Sequence, residues 1–114
     1  MNKLIFLFLI ISLHVTSVYS DIIKPNTKIK PYNVVEIQLI SLKNNDKPDK
    51  DFGIEQTWEF AHPENKINTG PLNKFKKMLK NEIYSILLNH KDHKIEEVFN
   101  NKRIAIYDVI ILGS

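Results

Sequence analysis

No cysteine occurs in this chain of 114 residues, and that absence constrains its fold more than any other feature. Small exported domains usually compensate for a thin core with disulfides. Here packing, a partner or both must supply the stability, and thiol chemistry is excluded. Export is expected from the first residues: Lys3 gives a positive start, Leu4 to Leu13 form an almost unbroken apolar run, and Ser12, Thr16 and Ser17 dilute it. A run of about 10 apolar residues matches the h-region of a cleaved leader, whereas about 20 are needed to span a bilayer. Val18-Tyr19-Ser20 places small residues at the outer and last positions before an expected cut, with Asp21 as the new amino terminus. An uncleaved anchor would instead hold His14 and the hydroxyls after it at membrane depth, at a cost.

A leader over residues 1–20 leaves residues 21–114 as one small domain whose core is marginal for its size. Of the 16 basic residues only Lys3 falls in the leader, against 13 acidic residues in the whole chain. The remainder is close to charge balance, which argues against nucleic acid or anionic lipid as a partner. No Asn-x-Ser/Thr acceptor is present, and no stable membrane span is expected in the mature chain. Residues 21–32 hold Pro25 and Pro31 with three lysines and one acid, a composition expected to give an extended, poorly packed linker. A basic, acid-poor stretch behind a leader also allows a second address: a bipartite route to a plastid-type organelle rather than secretion.

From residue 33 the pattern turns helical. Asn33 is a cap candidate, Glu36 stands three residues on as in a capping box, and Val35, Leu39 and Leu42 with Val34 and Ile40 mark an apolar face. Asn44-Asn45-Asp46-Lys47-Pro48 should end that helix. A shorter helix fits Ile54 to Ala61, with Ile54, Trp58 and Ala61 on one side and Pro63 as its stop. Thr69-Gly70-Pro71 then offers a cap and a proline for a third helix, whose stripe is Leu72, Phe75, Met78 and Leu79. Lys74, Lys76, Lys77 and Lys80 cover the rest of it as a solvated face. Ile83 to Leu88 should add one more apolar turn.

After His93 the period changes. Lys94 to Phe99 and Arg103 to Leu112, with Asn100-Asn101 between them, read as a β-hairpin. Ile104, Ile106 and Asp108 should point one way and Ala105, Tyr107 and Val109 the other. The expected class is therefore α+β, with helices packed on a small, incomplete antiparallel sheet. Two strands rarely make a stable sheet alone, and an uncovered apolar edge invites association.

Several blocks carry a family resemblance. Val34-Val35-x-x-Gln38-Leu39-x-x-Leu42-x-x-Asn45-Asp46 is followed by Asp51-x-Gly53-Ile54 and by Trp58-Glu59-Phe60-Ala61-His62-Pro63-Glu64-Asn65. Thr69-Gly70-Pro71-Leu72, Phe75, Met78-Leu79, Tyr84 and Leu87-Leu88-Asn89-His90 come next. In this order the chain resembles, over residues 33–114, the family catalogued as domain of unknown function 4864, familiar from cyanobacteria, algae and plants. That family has no agreed activity. The resemblance implies a partial form of the cone-shaped α+β fold of nuclear transport factor 2, and family members usually continue with further strands, so the chain looks like a C-terminally truncated member.

Candidate chemistry is sparse. His90 and His93 stand three apart with Glu96 and Glu97 just beyond; they are metal-ligand types, but a site needs three or four ligands. Nothing in the spacing supplies the others, so they read as a polar turn between helix and hairpin. Trp58, Phe60, His62 and Tyr84 could line a pocket, with Glu59, His62 or Asp108 as acid or base. The competing reading places Trp58, Phe60 and Tyr84 in a core under the sheet. Thr69-Gly70-Pro71-Leu72 reads as an anion site or as a plain cap. No Gly-rich nucleotide loop or nucleophile elbow is present, and no cofactor is implied. The expected function is a non-catalytic interaction module, associating with itself or another protein through the hairpin edge; a pocket enzyme using acid/base chemistry is the alternative.

Overall fold

A computed structural model describes residues 21–114, so the expected leader lies outside the described residues. Four helices, a short 3-10 turn and a hairpin follow in order: α1 Pro31–Lys43, α2 Phe52–Glu59, α3 Pro63–Thr69, α4 Leu72–Leu79, the turn Ser85–Leu87, β1 Asp92–Asn100 and β2 Ala105–Leu112. The α+β class is as expected, with the helices packed on a two-stranded antiparallel sheet. None of these helices is long and apolar enough to cross a membrane.

Helix α1 begins two residues before Asn33. Its N-cap is Lys30 and Pro31 fills the first turn, where a missing N–H costs nothing. Asn33 is therefore inside the helix, and no side chain caps it. Leu39 and Leu42 are its buried positions. Helix α2 also starts two residues earlier than expected, after Asp51 in a left-handed conformation at φ 62°. It crosses α1 at Gly53, where a Cβ would stand 2.1 Å from the Ser41 carbonyl oxygen, so only glycine allows that approach.

Pro63 does not merely stop α2. It opens α3, which His62 caps by accepting the Glu64 amide at Nδ1, 3.1 Å away. Thr69 closes α3 instead of capping α4: its hydroxyl donates to the Asn65 carbonyl, and Gly70 turns the chain at φ 79°. Helix α4 has the expected stripe, with Phe75 and Leu79 buried and Leu72 and Met78 half-buried.

The core lies between the helices and not under the sheet. Leu42, Ile54, Phe75 and Leu79 form it, with Trp58, Leu72, Met78, Leu87 and Leu88 against them. This corrects the placement of Phe60 and Tyr84: Phe60 is half-buried at the end of α2, and Tyr84 is exposed. The lead-in also differs from expectation. Gln56, buried in α2, accepts the Ile23 amide at 2.7 Å and donates to the Ile23 carbonyl at 2.9 Å. Its amide thus mimics a strand partner and pins the extended segment, while Lys24 reaches Glu59 at 2.8 Å.

The hairpin pairs Asp92 with Leu112, Glu96 with Asp108 and Phe99 with Ile106, with a bulge at Val98. Asn101 shapes its turn by accepting the amides of Arg103 and Ile104, each at 2.8 Å. The alternation is as expected except at Val109: Ala105, Tyr107 and Ile111 are half-buried and Ile106, Asp108, Ile110 and Leu112 are exposed, but Val109, expected on the inner face, is exposed too. The inner face meets α1, where Tyr107 packs edge-on against Tyr32 at 5.9 Å.

Candidate interaction surface

A polar knot ties the helices to the start of the hairpin. The Asn45 side chain accepts the Ile54 amide at 2.9 Å and donates to Asp51 at 3.2 Å. Asp51 accepts from Lys80 at 2.7 Å, and Asp46 accepts from the Asp51 amide and from Asn89. The Asn89 side-chain oxygen accepts the Asn45 amide in return. Asn45 and Asp51 are buried, so the bonds they make satisfy groups that water cannot reach. Lys80 holds the Asp51 carboxyl below its ordinary 3.8. This knot is structural: its buried members, Asn45 and Asp51, bond to other residues of the chain.

Next to the knot, His90 is buried and His93 half-buried. Their Nε2 and Nδ1 atoms are 2.7 Å apart, and His90 Nδ1 lies 2.7 Å from the Leu87 carbonyl oxygen. A carbonyl only accepts, so His90 Nδ1 carries a proton, and the two rings share a hydrogen bond between His90 Nε2 and His93 Nδ1. Burial, and then the neighbouring His90, hold His93 below its ordinary 6.5. Two imidazoles sharing a tetrahedral zinc would keep their nitrogens about 3.3 Å apart. The pair is thus a hydrogen bond between rings, and no group of three or more His, Asp or Glu among the described residues is placed to hold a metal.

The pocket candidates do not converge. A hollow of about 450 Å³, open to solvent, is lined by Gln38, Thr57, Phe60, His62, Phe75 and Met78 among others; Trp58 and Tyr84 do not line it. Trp58 packs on the core under the Lys66 ammonium, 4.1 Å from its ring centroid, and its buried indole N–H has no partner among the described residues. Of the acid/base candidates, His62 caps α3, Glu59 is paired with Lys24, and Asp108 stands on the outer hairpin face opposite Glu96. The hollow holds His62 alone of these three.

The outer hairpin face is the surface the fold leaves open. Phe99, Ile106, Ile110 and Leu112 remain 48%, 49%, 59% and 56% exposed. Phe99 and Ile106 are cross-strand partners, and the Lys94–Glu96 ion pair at 2.8 Å lies between them and the other end. The Leu112 carbonyl accepts from Lys91 and the Ile104 carbonyl from Asn101, both on the β1 side. Backbone groups alternate in direction along a strand, so Ala105, Tyr107, Val109 and Ile111 turn their N–H and C=O to the free edge of β2. No main-chain partner meets them among the described residues. Sequence reasoning named the edge but not the apolar outer face; its signal was the run Ile104, Ile106, Ile110 and Leu112 on one parity. No protein-family model, curated protein or solved structure matches the chain.

Proposed function

We propose that this chain is a small non-catalytic interaction module that enters the secretory pathway and binds through its hairpin. One observation carries the reading: Phe99 and Ile106 at one end of the outer face and Ile110 and Leu112 at the other are exposed beside an unpaired strand edge, with Glu96 and Asp108 between the two groups. Exposed apolar side chains rimmed by charged ones are a common feature of docking surfaces, and an open edge supplies main-chain bonds to an added strand. The family resemblance is part of the proposal but contributes no activity. The residues behind it that recur in the fold, Asn45, Asp46, Asp51, Gly53 and Asn89, hold the polar knot and the α1–α2 crossing.

A photo-crosslinking residue at position 106, in the cells that make the protein, tests the proposal. Discrete adducts are expected from that position and none from position 77 on the exposed face of α4. Absence of adducts from position 106 would sink the reading.

A further inference from the structure

We propose that the occupant of the β2 edge is a second copy of this chain, joined by antiparallel β2–β2 pairing centred on Val109. The inference rests on the reading of the hairpin as the binding element and names its partner. The two edges of the hairpin differ in charge. Strand β1 presents Asp92, Lys94, Glu96 and Glu97 and is distorted by the bulge at Val98. Charges and bulges are the devices that guard an edge. Strand β2 has neither: between Ala105 and Leu112 its one charged residue is Asp108.

Symmetry selects the register. The outward-turned amides and carbonyls belong to the odd-numbered residues, so a twofold axis at Val109 sets Val109 against its own copy and Tyr107 against Ile111 of the second copy. Each outward amide of Tyr107, Val109 and Ile111 then meets a carbonyl. Tyr107 and Ile111 form an aromatic–β-branched pair on the inner face, the kind that stabilises neighbouring strands. On the outer face Ile106 faces Leu112 of the second copy, and Asp108 faces Ile110. Sliding the axis by one residue to Asp108 would oppose two carboxylates, which is unfavourable. The strand is therefore self-complementary about Val109 and disfavoured about Asp108. The result is a continuous four-stranded sheet, whose outer face joins the apolar residues of both copies.

Sedimentation equilibrium of the protein expressed from the full 114-residue sequence tests this with a charge pair. Ile110→Glu sets an acid against Asp108 of the second copy twice over and is expected to weaken the dimer at least tenfold. Ile110→Lys sets a base there and is expected to keep it. Val109→Pro removes an outward amide that the β1–β2 ladder does not use; proline is tolerated on an edge, so the hairpin should persist while the dimer is lost. A chain that stays monomeric at all concentrations overturns the inference. So does equal weakening by Ile110→Glu and Ile110→Lys, which would mark face-to-face association. The position 106 adducts separate the two levels: adducts of doubled chain mass support the second copy, adducts with another protein alone overturn it while the interaction reading stands, and no adducts overturn both.

Discussion

Ile54 in α2 and Ile110 in β2 are the same residue type in opposite circumstances: the first has no exposed surface and the second keeps 59% of its own. Around Ile54 the helices bring Leu42, Phe75 and Leu79 into contact, and Asn45 binds the Ile54 amide itself. Around Ile110 the neighbours are Lys94, its strand partner, and solvent. The helical half is thus where stability resides, and the hairpin is where surface is offered. A chain without disulfides can leave one face apolar only if another part folds without its help.

That contrast can be broken most sharply in the core. Ile54→Ala should cost about 2–5 kcal/mol of unfolding free energy in a denaturant titration. A loss below 1 kcal/mol would show that the site collapses and that the helical half is less tightly packed than its burial implies. Asn45→Ala is next. It strands the Ile54 amide and one bond of the buried Asp51, and a cost of about 1–3 kcal/mol is expected by the same measurement.

Acid should distinguish the two halves without a mutation. The Asp51 carboxyl is held below 3.8 by Lys80 and then Asn45, and that of Asp46 by the Asp51 amide and then Asn89. The unfolded chain therefore binds these protons first as pH falls. Their contribution is present above 3.8 and lost as pH drops through the folded values. His93 acts earlier. Burial and His90 depress it while Asp92 and Glu36 oppose the shift and Lys43 reinforces it. The folded protein keeps it neutral where the unfolded chain takes a proton, so stability is full above 6.5 and declines below it. Thermal midpoints across this range should show two steps, and His93→Asn should erase the upper one while Asp51→Asn diminishes the lower.

The smallest effect belongs to the hairpin. At high dilution, where the chain is single, Ile110→Thr should change stability by no more than about 0.5 kcal/mol, because the side chain is then in water. A cost comparable to that of Ile54→Ala would mean that the outer face is packed in solution even at high dilution.

Much of the helical half was legible. The stripe of Leu72, Phe75 and Leu79 follows helical spacing, and its burial needs only that the helix lie on something apolar. The hairpin alternation was legible for the same kind of reason, a period of two. Gln56 was not. A lone glutamine on a helix has no periodic signature, and its partner is the main chain of Ile23, which any residue type could have supplied. His62 was weighed as a catalytic group and Pro63 as a stop, whereas together they start α3. Local composition allows either role, and the bend between α2 and α4 selects one.

What the order of residues determined alone was therefore the periodic part: which segments coil, which extend, which side of each is apolar, and that no covalent cross-link or thiol would assist. These follow from backbone geometry and hydrophobicity, which act within a few residues. Only the tertiary structure decided that the core lies between the helices, that Asn45, Asp51, Lys80 and Asn89 close one network, that His90 and His93 share a hydrogen bond, and that the outer face of the hairpin stays bare. Each depends on which elements meet, and contacts between residues 29 or 43 positions apart leave no period in the sequence for a reader to find.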